Sequence, residues 1–201
     1  MLWKPSSEDT AVQKGETSSS GNPQYSVSDM KEPIARVIDK CEALKDDDPD
    51  AYLAFWLMLH CGLPRVEVAA AKWDWVTERG VHVRSDDNFQ TKSGQSRLVP
   101  LSEAQITHLR GFQGSNSFIL GGAYSSRYRA HPDRLGRIIG RAGISGNKSV
   151  HELRKYYGAN VATQLGLFAG QKYLGHHSPE ITSRYYADLI HAKPVEVKIL
   201  N

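Results

Sequence analysis

Residues 171–189 read QKYLGHHSPEITSRYYADL, and the order of features in this stretch decides the prediction for the whole chain. Gly175 and His176 indicate a turn. Ser178 is typical of a helix N-cap, and Pro179 suits the first position of the helix that follows. The stretch therefore predicts a short helix that begins just after a turn bearing a histidine.

The predicted helix carries two neighbouring tyrosines, Tyr185 and Tyr186. One interpretation is an amphipathic helix whose aromatic side chains belong to the core. The other is a tyrosine whose phenol acts as a nucleophile close to the imidazole of the preceding turn. These residues alone leave both interpretations open.

The composition is that of an ordinary globular chain. Its 201 residues are 40% hydrophobic and 23% charged, which is enough for one domain with a substantial core. No apolar run approaches the length that spans a membrane, and the N-terminus lacks the apolar core of a secretory signal. We therefore expect a cytoplasmic protein with no membrane partner, in which Cys41 and Cys61 are reduced core residues.

Positive charge is concentrated in one part of the chain. The whole sequence has 25 Lys and Arg against 22 Asp and Glu, a net charge of +3. Residues 42–50 are strongly acidic, whereas the stretch from residue 125 to 154 carries Arg127, Arg129, Arg134, Arg137, Arg141, Lys148 and Arg154. Such a stretch is either a solvated face or a surface that binds phosphates, and its composition leaves both readings open.

The sequence divides into a leader, a helical body and a tail. Residues 1–27 are polar and rich in Gly and Ser, which predicts a disordered leader or linker. Residues 28–190 predict one domain that is mainly α with a small antiparallel β-sheet, and residues 191–201 form a C-terminal tail. Helical patterns lie at about residues 28–44, 50–61, 64–72, 102–109, 132–141, 150–166, 168–174 and 178–189, and strand patterns at 81–84, 97–101 and 118–120.

Further residues that carry chemistry stand upstream of the tyrosines. His151 and Arg154 are three positions apart in a predicted helix, so that their side chains project from one face. Lys92 lies in the turn-rich connection between two predicted strands. Each feature is common on protein surfaces, and an H-x-x-R pair by itself is a weak signal.

Taken together, these residues resemble the catalytic domain of the tyrosine recombinases, the phage integrase family. The shared features are a lysine in a hairpin turn (Lys92), the pair His151 and Arg154, and the pattern L-G-H-x-S-x-x-x-T-x-x-Y over residues 174–185. The resemblance covers roughly residues 28–189, most of the chain. It implies a domain that breaks and rejoins DNA, with a small antiparallel sheet added to a mainly α-helical body.

The resemblance also implies a role for the tyrosine and for the arginine. Tyr185 would attack the scissile phosphate and form a 3′-phosphotyrosyl bond, whereas Tyr186 is out of register with the family's nucleophile. Arg154 would bind the non-bridging phosphate oxygens, where negative charge develops in the transition state.

The remaining predicted site residues would handle protons and hydrogen bonds. Lys92 would protonate the departing 5′ oxygen, His151 would assist proton transfer, and His176 would donate a hydrogen bond to the phosphate. Because fixed cations would take the place of metal ions, we expect neither a metal nor a cofactor.

The chain departs from the family pattern at the first catalytic arginine. That pattern reads approximately T-G-L-R-x-x-E-x-x-x-L-x-W, whereas residues 61–73 read CGLPRVEVAAAKW. Aligned without a gap, the arginine position falls on Pro64, and Arg65 follows one residue later. One residue is about 100° of rotation on a regular helix, enough to turn a side chain away from a pocket. Glu67 is the carboxylate expected to orient an arginine or a histidine.

This departure leaves alternatives open. If Arg65 acts as the first catalytic arginine, the chain is a recombinase that is active and specific for a DNA site. If it does not, the chain is a catalytically impaired, recombinase-like DNA-binding protein. A third alternative, topoisomerase-like relaxation of DNA without strand exchange, would use the same chemistry.

The resemblance further implies partners. Double-stranded DNA would be gripped by a basic groove built from residues 127–148. Recombinases of this family act as tetramers on paired DNA sites and exchange their C-terminal segments, so we expect a homo-tetramer on DNA and a monomer without it. The apolar residues of the tail suit such an exchange or a return to their own domain. The family's N-terminal DNA-clamping domain is not expected within residues 1–27.

Overall fold

A computed structural model describes residues 27–92, 94–144 and 149–176. In this part of the chain, helices surround a small antiparallel sheet of three strands. The helices are α1 (Val27–Glu42), α2 (Leu44–Asp47), α3 (Pro49–His60), α4 (Arg65–Ala70), α5 (Glu103–Arg110), α6 (His131–Arg141), α7 (Ser149–Leu165) and α8 (Leu167–Leu174). The strands are β1 (Val76–Thr77), β2 (Gly80–Val83) and β3 (Arg97–Pro100). The predicted class, mainly α with a small antiparallel sheet, is confirmed.

Helix α3 forms the centre of the core. Every residue from Ala51 to Leu59 is buried, because the helix is apolar on all faces and packs against α1, α6 and α7. The helix begins after Asp48, whose side chain accepts a hydrogen bond from the Ala51 amide at 3.0 Å, and Pro49 occupies its first turn. The core therefore fixes the end of α3, where the chain turns toward the candidate site.

Both cysteines belong to this core. Cys41 and Cys61 are buried free thiols, as the sequence predicts. Burial raises the pKa of Cys41 to about 12 and also raises the pKa of Cys61. Neither thiol is therefore a nucleophile near neutral pH.

The sheet has β2 in its centre. Val81 of β2 lies opposite Val76 of β1 and Val99 of β3, and all three side chains are buried. Strand β1 has only two residues, and the alternation in the sequence did not predict it. The sheet carries the 84–96 connection, which contains Lys92, along one side of the helical body.

The strand predicted at residues 118–120 is wrong. Phe118 forms a single bridge with Lys72, flanked by bonds from the Trp73 amide to the Ser117 carbonyl and from the Ile119 amide to the Ala71 carbonyl. The partner segment then enters a 3₁₀ turn at Trp73–Trp75, so no ladder can extend.

The start of α5 agrees with the prediction. Ser102 is its N-cap, and the Ser102 and Gln105 side chains form a capping box with the backbone of the first turn. Among the described residues, no helix is long and apolar enough to cross a membrane. The predicted leader, the predicted helix at residues 178–189 and the predicted tail lie outside the described residues.

Candidate active site

The turn predicted at Gly175 and His176 ends helix α8. Gly175 has a φ of +70°, its amide donates to the Lys172 carbonyl at 3.2 Å, and the His176 amide donates to the Gln171 carbonyl at 3.1 Å. These bonds form a Schellman motif, which fixes the backbone of the histidine relative to the helix. A Cβ at Gly175 would lie 3.0 Å from Cδ of Arg97. Both the backbone conformation and the available space therefore require glycine.

Two arginines donate hydrogen bonds to the last carbonyls of α8. Nη2 of Arg154, on α7, donates to the Leu174 carbonyl at 2.8 Å. Nε of Arg97, on β3, donates to the Tyr173 carbonyl at 2.9 Å. The negative end of the helix dipole favours cations at this position. The end of α8 therefore gathers two guanidinium groups beside the turn that carries His176.

Arg154 is also bonded to the turn that follows α3. Its Nη1 donates to the Gly62 carbonyl. Gly62 has a φ of +62°, and a Cβ at this position would lie within 3.0 Å of the Tyr157 ring. Since Arg154 and Tyr157 are both on α7, the same helix packs against Gly62 and binds its carbonyl. Arg154 is thus held between two backbone segments.

The His176 imidazole is neutral near pH 7. Burial lowers its pKa to about 4, and the next largest effects come from neighbouring groups that carry, or on protonation would carry, positive charge: Arg154, Arg97, His151 and Lys92. A neutral imidazole donates one hydrogen bond and accepts another, so it can hydrogen-bond an anion without adding charge. These four groups therefore lie near enough to His176 to act on it electrostatically.

Lys92 is exposed in the connection between β2 and β3. Its neighbour Thr91 is buried and holds the connection in shape. The Thr91 amide donates to Oγ of Ser85 at 3.1 Å, and the Thr91 hydroxyl donates to the Gln95 carbonyl at 3.0 Å. The backbone is therefore anchored one residue before the lysine, whose own side chain extends into solvent.

A cavity of about 470 Å³ brings Arg65 near the H-x-x-R pair. Its walls include Leu63, Pro64, Arg65, Asp133, His151 and Arg154. The Arg65 side chain is 33% exposed, and its Nη1 donates to Oδ1 of Asp133 at 2.6 Å. Pro64 is the N-cap of α4, so the helix begins at Arg65. The shifted arginine therefore lines the same cavity as Arg154, and a carboxylate holds its guanidinium there.

This arrangement suits an oxyanion such as a phosphate. Guanidinium groups bind phosphate oxygens through charge-assisted, often bidentate hydrogen bonds, and a neutral imidazole can add a further donor. Among the described residues, no three His, Cys, Asp or Glu side chains are grouped so that they could hold a metal ion. The chemistry that the site offers is that of fixed cations and proton donors.

Comparison with known proteins identifies the family. The model of the phage integrase family matches residues 30–191, well over half of the chain. The chain belongs to the phage integrase family. This is the family of the tyrosine recombinases, enzymes that cleave and join DNA. No curated protein matches the chain in sequence.

Solved structures of tyrosine recombinases share the fold of this family member. The catalytic domain of bacteriophage HP1 integrase is 21% identical with a TM-score of 0.59, and the match covers 79% of this chain and 84% of that domain. XerA recombinase is 22% identical with a TM-score of 0.58, covering 77% of this chain and 58% of XerA. A lambda integrase dimer bound to a COC′ core site is 18% identical with a TM-score of 0.59, and the match covers 87% of this chain and 63% of that chain. The chain therefore spans less than two thirds of the XerA and lambda integrase structures.

The fold gathers most of the predicted site residues of this integrase-family chain. Lys92, His151 and Arg154 lie within electrostatic reach of His176, and Arg65 lines the same cavity as His151 and Arg154. Tyr185 lies outside the described residues, as does Tyr186. The catalytic roles of all six predicted residues stay predictions.

For Arg127, the prediction of a place in the basic DNA-binding groove is wrong. The residue is buried in the integrase fold, where its Nε donates to the Ala69 carbonyl at 2.8 Å and its guanidinium stacks 3.8 Å from the Phe118 ring centroid. It lies in a π-helical segment, Ser126–Ala130, that directs it inward. Its pKa is lowered by burial. The exposed arginines of the same stretch are Arg129, Arg134, Arg137 and Arg141, and Arg134 is paired with Asp48.

One site residue of this integrase-family member escaped the sequence analysis. Arg97 begins β3, and its guanidinium is only 9% exposed. A usable signal was present, because side chains two positions apart in a strand share a face and Val99 is buried. An arginine in phase with a core valine predicts a buried, partnered charge. Its partner is Glu67. Glu67 therefore orients an arginine, as expected, but that arginine is Arg97 and not one of the predicted site residues.

Proposed function

We propose that this chain is the catalytic domain of a site-specific DNA recombinase that cleaves and rejoins DNA through a 3′-phosphotyrosyl intermediate. The observation that carries the proposal is the convergence at the end of α8. His151 and Arg154 of α7 and Lys92 of the 84–96 connection lie within electrostatic reach of His176 at that point, and the tyrosine pair begins nine residues after His176 in the sequence. Chemistry on a phosphodiester accounts for this set more fully than a structural role does.

In the proposed reaction, the phenolic oxygen of Tyr185 attacks the scissile phosphorus. A new phosphorus–oxygen bond forms to the tyrosine as the bond to the 5′ oxygen of the leaving strand breaks. Lys92 gives its proton to that 5′ oxygen, and His151 assists removal of the phenolic proton. Attack by a 5′ hydroxyl in the reverse direction reseals the strand, so the reaction needs no external source of energy.

The cationic groups would stabilise the transition state. Arg154 is already held by two carbonyl oxygens, so it can bind non-bridging phosphate oxygens with little reorganisation. Neutral His176 would donate a ring N–H to the same phosphate. A neutral imidazole retains one ring N–H for this bond, and burial and the neighbouring cations favour the neutral form.

Arg65 is the proposed second guanidinium of the site. It lines the cavity that also contains His151 and Arg154, and its pairing with Asp133 is partly solvent-exposed. An ion pair of this kind is worth about 0–1 kcal/mol, so a phosphate can displace Asp133 without a large penalty. The proline at position 64 then moves the arginine by one residue without removing it from the cavity.

The proposed substrate is double-stranded DNA, with the exposed Arg129, Arg137 and Arg141 contributing phosphate contacts. The lambda and Tn1549 integrases are solved in complex with DNA, and their shared fold supports this choice. A tetramer on paired sites, and a monomer without DNA, complete the proposal. Sedimentation of the chain with and without duplexes that carry a cleaved site tests this assembly.

A suicide-substrate experiment tests the proposed function. Duplexes with a randomised core and a nick near the centre lose the short cleaved fragment, so that a covalent protein–DNA adduct accumulates and survives detergent. The wild type is compared with Tyr185→Phe and with Tyr186→Phe, a matched control that removes the neighbouring phenol. We expect the adduct to disappear only in Tyr185→Phe, and sequencing of the trapped DNA then gives the site.

Two further variants decide the role of the shifted arginine. Arg65→Ala should slow adduct formation by about 100-fold or more, the usual consequence of losing one donor to a developing oxyanion. Pro64→Arg should bring no gain if Arg65 already acts. An adduct that forms only in Pro64→Arg would instead identify a recombinase scaffold disabled at this position, and an adduct that persists in Tyr185→Phe would refute the assigned nucleophile.

A further inference from the structure

A buried ion pair connects the sheet to the helical body directly beside His176. Arg97 on β3 and Glu67 on α4 form a bidentate pair: Nη1 donates to Oε1 at 2.9 Å, and Nη2 donates to Oε2. Their side chains are 9% and 7% exposed. Such a pair is well shielded from solvent, and the two residues lie 30 positions apart in the sequence.

The same guanidinium also contacts the turn that presents His176. Nε of Arg97 donates to the Tyr173 carbonyl at 2.9 Å, and the backbone of Gly175 packs against the Arg97 side chain. All three nitrogens of the guanidinium are therefore used: two hold Glu67, and one holds the end of α8. The ion pair orients the arginine, and the arginine orients the turn.

Stability alone gives little reason for an ion pair at this place. Removing two charges from water costs about as much as their attraction returns, and apolar residues of similar volume often serve as well. A charged pair is more readily explained where its charge or its directional hydrogen bonds have a further use. Here the pair lies against the one turn that carries a predicted site histidine.

We propose that Arg97, held by Glu67, is a positioning residue that fixes the location and the protonation state of His176 during DNA cleavage. This inference rests on the proposed function of the chain. In this scheme Arg97 is not assigned a contact with the phosphate, because each of its three guanidinium nitrogens already donates one hydrogen bond, two to Glu67 and one to the Tyr173 carbonyl. It acts through the α8 turn, which it holds in place while it keeps a positive charge near the imidazole.

The charges around His176 agree with this role. Burial has the largest effect in lowering its pKa to about 4, and Arg97 follows Arg154 among the neighbouring charges. The groups that act on the imidazole from the surrounding elements are Arg154 and His151 of α7, Arg97 of β3 and Lys92 of the 84–96 connection. Lys172 of α8 and His82 of β2 line a second cavity, which Arg97 and His176 also line. Arg97 is paired with a buried carboxylate and is also bonded to the turn.

The first test measures the pKa of His176 in the full chain from the NMR signals of its imidazole. Arg97→Met removes a positive charge and should raise this pKa by about one pH unit. Glu67→Gln removes the opposing negative charge and should hold the pKa at or below its wild-type value. Arg84→Met is the matched control, because Arg84 forms an exposed pair with Asp74 near the same sheet, and it should leave the pKa unchanged.

The opposite directions distinguish positioning from mere structural support. If the pair only kept the turn folded, both substitutions would loosen it, admit water to the imidazole and raise the pKa. Because Arg97→Met leaves Glu67 buried without its partner, the double variant Arg97→Met with Glu67→Gln is measured as well. Circular dichroism should show that this double variant is folded, and the pKa of His176 should still be raised. Of the two charges removed, the one that acts on His176 is that of Arg97.

The second test measures the rate of adduct formation on the trapped DNA site. Arg97→Met should react at least 10-fold more slowly while its Kd for DNA stays within about 3-fold of the wild type, because most of the proposed phosphate contacts are made by residues outside the histidine turn. Arg97→Lys keeps the charge but not the bidentate geometry, so it should restore the His176 pKa and recover part of the rate.

Three results would overturn the inference: a pKa in Arg97→Met equal to that of the wild type, an equal rise in Arg97→Met and Glu67→Gln, or a wild-type reaction rate in Arg97→Met. The two proposals fail separately. If the wild type forms no adduct on any duplex, the proposed function fails, and the NMR titration still decides whether Arg97 controls His176.

Discussion

Replacement of Gly62 by alanine is the most direct test of how the site is built. Gly62 has a φ of +62°, and a Cβ there would lie within 3.0 Å of the Tyr157 ring. The left-handed conformation costs an alanine about 1–2 kcal/mol. Forcing the ring away adds about 1–3 kcal/mol, as is typical of overpacking. We therefore expect Gly62→Ala to lower the free energy of unfolding by about 2–5 kcal/mol.

Urea unfolding followed by circular dichroism measures this loss, and Gly94→Ala provides the matched control. Gly94 has a nearly equal φ of +69°, but a Cβ there would meet nothing within 4 Å. The control should therefore pay only the conformational cost, about 1–2 kcal/mol. The difference between the two variants isolates the clash with Tyr157.

A second variant checks the identity of the clashing group. If the ring is responsible, Tyr157→Leu should recover part of the loss in the Gly62→Ala background, with a coupling of at least about 1 kcal/mol in the double-mutant cycle. Equal losses in Gly62→Ala and Gly94→Ala, within about 0.5 kcal/mol, would refute the packing argument. They would show that the ring yields freely and does not fix the Gly62 turn.

Three further predictions concern stability. Because the pKa of His176 is lowered in the folded chain, the unfolded chain binds a proton more readily at this residue. The contribution of neutral His176 to the free energy of unfolding is therefore complete above about pH 6.5 and is lost as the pH falls toward 4. After allowance for solvent screening, this contribution is about 1–2 kcal/mol. Unfolding measured from pH 7 to 4 should show this dependence in the wild type and lack it in His176→Gln, and parallel curves would contradict it. Arg127→Met should lower the free energy of unfolding by about 2–3 kcal/mol, because it removes the donor to a buried carbonyl and the contact with Phe118. Its affinity for DNA should change less than 3-fold. A large loss of affinity in a stable variant would show that Arg127 belongs to the DNA-binding surface after all. Tyr52→Phe should lose about 1 kcal/mol in urea unfolding because its hydroxyl is 2.8 Å from Nε2 of His108, and an unchanged midpoint would show that this bond contributes nothing.

The parts of the site that follow local rules could be predicted from the sequence. A glycine followed by histidine at the end of an apolar helical pattern predicted the turn at Gly175, and the structure has it with a positive φ. The spacing of His151 and Arg154 predicted a shared helix face, and both line one cavity. These features depend on residues within one or two turns of each other, so the sequence contains all the information they need.

The contacts that complete the site depend on residues far apart in the chain. Arg65 and Asp133 are separated by 68 positions, and Arg97 and Glu67 by 30. No local pattern says which carboxylate an arginine will meet, because the meeting depends on how helices and sheet pack. The sequence could indicate a partnered arginine at position 97 from its phase with Val99, but not the identity of the partner.

The effect of Pro64 illustrates how a local change is absorbed by the surrounding fold. Proline has no amide to donate and a fixed φ, so it serves as the N-cap of α4, and the helix begins one residue later at Arg65. At the first turn of a helix the side chain points toward the preceding loop and not into a packed face, so a shift of one residue still leaves Arg65 on the cavity wall with Arg154. Asp133 balances its charge there, in a half-exposed pair that costs little to open. The departure from the family pattern therefore changes which residue brings an arginine to the cavity. Under the proposed function, a phosphate in the cavity would compete with one surface carboxylate for that arginine.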